Sequence, residues 1–154
     1  MTAPAPLLSN VLVPIANEAD AATTMDALLE RLAAADGRLT ALHVVEKAGG
    51  APDKVSVAQR EAAAEDAFAV VTARAAVAGV PVETRLGYGT DVAETIREVA
   101  AEVDASAIVF TPRGGSVLVD LVTGDVARSL VKAADRPVVV LPAPAGNDDA
   151  RGGE

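Results

Sequence analysis

A chain of 154 residues is one domain's worth, long enough to bury roughly two thirds of its unfolded surface around a single core. Hydrophobic residues make up 51% of it but aromatics only 2%, so that core must be assembled from Ala, Val, Leu and Ile packed between layers. The formal charge of −9, with Lys confined to Lys47, Lys54 and Lys132, gives no electrostatic footprint for nucleic acid or an anionic membrane, and the absence of cysteine excludes disulfides, thiolate metal sites and cysteine nucleophiles. The same acidic, lysine-poor balance suits a cytoplasm of high salt. The first residues carry neither a basic segment nor a long apolar run, and nowhere does an apolar run approach about 18 residues, so a soluble cytoplasmic protein is expected.

Residues 1–8 read as an N-terminal tail. From Val11 to Ile15 the chain is apolar without alternation, as suits a strand buried on both faces of a parallel sheet, and Pro14 marks where pairing stops. A helix follows over about Ala19 to Ala35, with Met25, Leu28, Leu29 and Leu32 on one stripe and Gly37 as its stop; Glu18 and Asp20 read as charges at its start. Leu39 to Val45 is the second strand. After a polar loop from Glu46 to Asp53, a helix over about Val57 to Ala78 puts Ala64, Phe68, Val71, Ala75 and Ala78 on one stripe, with Gly79 ending it. Its carboxylates Glu61, Glu65 and Asp66 read as a solvated face.

Val82, Thr84 and Leu86 alternate with Glu83 and Arg85, which predicts a third strand with one wet face or a place at a sheet edge. Gly87 and Gly89 are expected to turn the chain into a helix capped by Asp91, buried along Val92, Ile96, Val99 and Val103. The fourth strand is Ala107 to Phe110. A last helix over about Asp125 to Ala134 leads into the fifth strand, Val138 to Leu141, and residues 143–154 are too polar and glycine-rich to fold. Five alternations of strand and helix imply an α/β domain over residues 9–142, a doubly wound parallel sheet with helices on both faces. In such a sheet ligands bind at the carboxyl ends of the strands where the winding reverses.

Between the fourth strand and the last helix lie Thr111, Arg113, Gly114, Gly115, Ser116 and Gly124, followed by Asp125 and Val126. Small residues let backbone N–H groups approach an anion, and Arg113 can add a bidentate contact. The alternative is that these glycines serve turns and close packing. His43, the only histidine, sits in an apolar strand and reads as a packed or strand-end residue rather than a catalyst. No Gly-Lys-Ser or Gly-Lys-Thr is present, and no nucleophile, base and orienting partner can be assembled from the loops, so no enzyme is expected.

From about Asn10 to Leu141 the chain resembles the universal stress protein family. The likeness rests on the strand order, on Val11-Leu-Val-Pro14-Ile15, on Leu42-His43-Val44-Val45 and on the loop-to-helix spacing near the C-terminus. It implies the strand order 3-2-1-4-5 and an adenine nucleotide site formed by Pro14, Ile15, Ala16, Val44, Phe110, Thr111, Arg113, Gly114, Gly115, Gly124, Asp125 and Val126. Members that bind ATP carry G-x2-G-x9-G followed by Ser or Thr. Here Gly114 and Gly124 keep the second and third glycines, while Thr111 replaces the first and Asp125 replaces the hydroxyl residue. The Asp that such members carry after the first strand is Ala16 in this chain.

A carboxylate at Asp125 can take the first N–H groups of the helix itself, in the anion's place. A like charge about 4 Å from a phosphate costs on the order of 1 to 4 kcal/mol, between water's dielectric constant and an effective value of 20. A bound Mg²⁺ bridging Asp125 to phosphate would reverse the sign. Two readings therefore stand: a regulatory or interaction protein with weakened or absent ATP binding, needing no cofactor, or an ATP or AMP sensor using the loop 111–125, with Mg²⁺ as an accessory. An enzyme that handles nucleotides is a third, weaker alternative. The fifth strand, Val138, Val139, Val140 and Leu141, is apolar without alternation at an outer position, and an uncovered apolar edge invites pairing. The resemblance implies a homodimer through it. A regulatory protein partner is compatible with this; nucleic acid and membrane are not.

Overall fold

The computed structural model describes residues 4–46, 54–111 and 125–142. Among the described residues five strands alternate with four helices: β1 Asn10–Pro14, α1 Glu18–Ala34, β2 Arg38–Glu46, α2 Lys54–Ala78, β3 Val82–Gly89, α3 Val92–Glu102, β4 Ala107–Phe110, α4 Asp125–Lys132 and β5 Val138–Val140. The strands form one parallel sheet in the order β3-β2-β1-β4-β5, as expected. The winding reverses between β1 and β4, which pair through Val11 with Ala107 and Leu12 with Ile108.

The period of two along each strand divides the core. Val11, Val13, Leu39, Ala41, Ala107 and Val109 face α1 and α2, where they meet Met25, Leu28, Leu32, Phe68 and Val71. Leu12, Leu42, Ile108 and Phe110 face the other way, onto Ile96, Val99, Ala100 and Leu130 of α3 and α4. Strands buried on both sides need no polar alternation, which is why β1 and β4 read as continuous apolar runs. The scarcity of rings is met by methyl packing, each fully buried Leu or Ile contributing about 1.5–3 kcal/mol.

Three helix ends share one solution. α1, α2 and α3 close with paired backbone bonds typified by Gly37 N–H to Leu32 O and Asp36 N–H to Ala33 O, and each puts one residue at positive φ: Asp36 at 58°, Gly79 at 74° and Asp104 at 54°. Gly79 serves as the sequence suggests, but Gly37 does not hold the left-handed position of α1. It is small because the N-terminal segment crosses it, and a Cβ there would lie 1.9 Å from Leu8 O. Gly87 and Gly89 also differ from expectation. They belong to β3, opposite Val44 and Glu46 of β2, and not to a turn. Thr95 of α3 lies against them: a Cβ on Gly87 would stand 2.9 Å from Thr95 Cγ2, and one on Gly89 2.3 Å from Thr95 Oγ1. Asp91 caps α3 by accepting from Glu94 N–H at 3.1 Å.

Candidate functional site

The carboxyl ends of β1 and β4 form the reversal point. Sheet pairing carries on one residue beyond β1, with Ile15 N–H donating to Leu42 O at 2.8 Å, before the chain turns through Ala16 and Asn17 into α1. Asn17 is the N-cap, its side chain accepting from Asp20 N–H at 2.8 Å. Asp20 reaches back in return, its Oδ2 accepting from Ala16 N–H at 2.8 Å. This reciprocal arrangement is a variant of the capping box, shifted by one residue at its backbone end.

The same carboxylate begins a chain of buried hydrogen bonds. Thr24, one turn further along α1, donates from Oγ1 to Asp20 Oδ1 at 3.1 Å, and its oxygen lies 2.8 Å from Oγ1 of Thr111 just beyond β4. Asp20 is 2% exposed and both threonines are fully buried. The chain Asp20–Thr24–Thr111 therefore ties the α1 wall to the β4 wall on the sheet face that carries α1 and α2. Among the described residues no buried side-chain nitrogen or oxygen lacks a partner.

His43 stands near the carboxyl end of β2, half-buried, with Nδ1 at 2.9 Å from Ile15 O. A carbonyl only accepts, so Nδ1 carries the proton and the ring braces β2 against the β1 turn. That is a strand-end role, as the sequence suggests, with a specific partner added. Glu61 gains a partner on the solvated face of α2: it accepts a short hydrogen bond from the Tyr88 hydroxyl. Asp20 lies in the first turn of α1 as read, and the structure adds that it is buried and accepts from Ala16 N–H and Thr24.

Of the residues expected to meet a nucleotide, Pro14, Ile15, Phe110 and Thr111 are buried at the reversal point, and Ala16 and Val44 are half-buried beside it. Val126 lies in the first turn of α4, which begins at Asp125; the Asp125 side chain, Arg113, Gly114, Gly115 and Gly124 lie outside the described residues. Val138 and Val139 are half-buried on the outer strand and Val140 is 51% exposed. Leu141, expected at a subunit interface, is packed into this chain's own core. Among the described residues no group of three or more His, Asp or Glu could hold a metal ion, and no helix is long and apolar enough to cross a membrane.

Thr24 is the residue that sequence reading missed. A signal was there: counting back in fours from Leu32 and Leu28 along the buried stripe of α1 reaches Thr24 and then Asp20.

A parallel sheet of order 3-2-1-4-5, reversed at β1 and β4, defines a doubly wound α/β protein with its binding crevice at that point. The universal stress protein family model matches residues 8–142, and the chain belongs to that family. It is similar to a universal stress family protein from Burkholderia pseudomallei, at 33% identity over 91% of this chain and 100% of that one, with a TM-score of 0.65. It shares its fold with the universal stress protein of Archaeoglobus fulgidus solved in complex with dAMP, at 20% identity over 88% of this chain and 99% of that one, TM-score 0.64. A family protein from Arabidopsis thaliana solved with AMP bound gives 20% identity over 90% and 94%, TM-score 0.66. No curated protein matches the chain by sequence.

Proposed function

We propose that this chain is a non-enzymatic, cytoplasmic universal-stress-type regulatory or interaction protein, homodimeric, whose crevice binds adenine nucleotides weakly or not at all. One observation carries the reading: among the described residues the polar side chains at the reversal point hydrogen-bond one another and the backbone. Asp20 holds the Ala16 amide, at the position where nucleotide-binding members of the family carry Asp, and Thr24 holds Thr111 where they carry glycine. A ligand must displace hydrogen bonds to a buried carboxylate, each worth about 1.5–3 kcal/mol. Calorimetric titration with ATP, ADP and AMP, with and without Mg²⁺, should give no dissociation constant below about 1 mM; micromolar binding would overturn the reading.

The second reading is an ATP or AMP sensor. It is favoured by the retained glycines Gly114 and Gly124 and by relatives solved with AMP and dAMP. Its mark is nucleotide released on denaturing freshly purified protein. The homodimer is supported by β5, an apolar edge with Val140 exposed, and the interaction role by a surface whose charge suits neither nucleic acid nor membrane.

A further inference from the structure

The direction of the buried hydrogen bonds can be read from the donors available. Thr24 has one hydroxyl proton, and it goes to Asp20 Oδ1. The 2.8 Å contact between the two threonine oxygens therefore requires Thr111 to donate and Thr24 to accept. Thr111 closes the carboxyl end of β4, the strand beside the reversal point, yet its only side-chain proton is turned into α1. We propose that Asp20 and Thr24 are positioning residues that set the crevice's response to a phosphorylated ligand, by holding the Thr111 hydroxyl proton away from it. This rests on the reading of the crevice as an adenine nucleotide site.

Phosphate oxygens are acceptors, so an inward-turned donor leaves only lone pairs at this position. Asp20 sets the orientation because an ionised carboxylate can only accept. An asparagine in its place reverses the relay: its amide donates to Thr24, Thr24 donates to Thr111, and the Thr111 proton is released. The carbonyl oxygen of that asparagine would still accept from Ala16 N–H, so the cap on α1 survives. Replacing Thr24 by valine cuts the relay and frees the same proton. Replacing it by serine preserves the relay.

The test is calorimetric titration of the full chain with AMP and, separately, with adenosine, which lacks the phosphate. Urea unfolding of each variant establishes that it is folded. Asp20→Asn and Thr24→Val should each bind AMP about fivefold more tightly than wild type, the usual worth of one hydrogen bond, with adenosine affinity unchanged. Thr24→Ser should match wild type, and Thr111→Val, which removes the hydroxyl, should gain nothing. The proposal is overturned if neither Asp20→Asn nor Thr24→Val gains affinity, if AMP binding stays undetectable in both, or if AMP and adenosine gain equally, as a general loosening of a structural clamp would cause. Wild-type affinity in the micromolar range would overturn the weak-binding reading alone, because the relay is judged by the ratio between variant and wild type.

Discussion

The sheet has two edges, and they are built in opposite ways. β3 runs for eight residues and carries Glu83, Arg85 and Tyr88, whose side chains engage Arg38 at 3.4 Å, Glu102 at 2.5 Å and Glu61 respectively. β5 has three residues, all valine. Exposed ion pairs of this kind add only about 0.2–1 kcal/mol each, so stability is a poor account of why β3 carries them. Charge on an outer strand obstructs the approach of a second strand, and bare valine does not. Among the described residues the two edges thus differ in chemistry as well as length: the longer one carries charge and the shorter one carries none.

Breaking the uncharged edge should have the largest effect. Val140 is 51% exposed, so Val140→Lys should change folding stability by less than about 0.5 kcal/mol. If β5 is the subunit contact, the same change places like charges across the two-fold axis and should halve the mass measured by light scattering at micromolar concentration. A wild-type protein that already scatters as a monomer would remove β5 from the proposed function. The charged edge is breakable at Gly89. Its missing Cβ makes room for the Thr95 hydroxyl, which is fixed by donating to Asp91 O at 3.0 Å. Gly89→Ala should cost about 1–3 kcal/mol in urea unfolding, and Thr95→Ala in the same chain should recover most of it.

The contrast between the edges was largely legible from residues 82–86 and 138–141. Alternation in one and its absence in the other follow from how many faces each strand buries, and that is a local property of sequence. The same holds for the sheet order once the family resemblance is recognised. What stayed hidden depended on contacts across the chain. Gly87 and Gly89 look like turn residues because nothing nearby in sequence announces Thr95 above them. Asp20 reads only as a charge at a helix start because its further partners are Thr24, one turn on, and through it Thr111, 87 residues from Thr24. Leu141 reads as an interface residue because the run of apolar residues does not specify its burial, which comes from packing into the core on one face of the sheet.

The smallest effect sharpens how the charged edge is held. Tyr88 is the chain's single tyrosine, so its phenol can be titrated by absorbance without overlap from another. The hydrogen bond it donates to Glu61 favours the protonated phenol, and burial and the Glu61 charge push the same way, so its pKa lies above the usual tyrosine value. Unfolded protein therefore loses this proton first, at a pH of about 10, while folded protein still holds it. The unfolded state then binds fewer protons, and the contribution of this contact to stability falls as pH rises from the unfolded pKa through the folded one. Glu61→Gln should lower the Tyr88 midpoint toward that of free tyrosine and flatten the stability profile over that window. Spectrophotometric titration of the two proteins checks it, and coincident midpoints would mean that α2 does not hold the β3 edge through this pair.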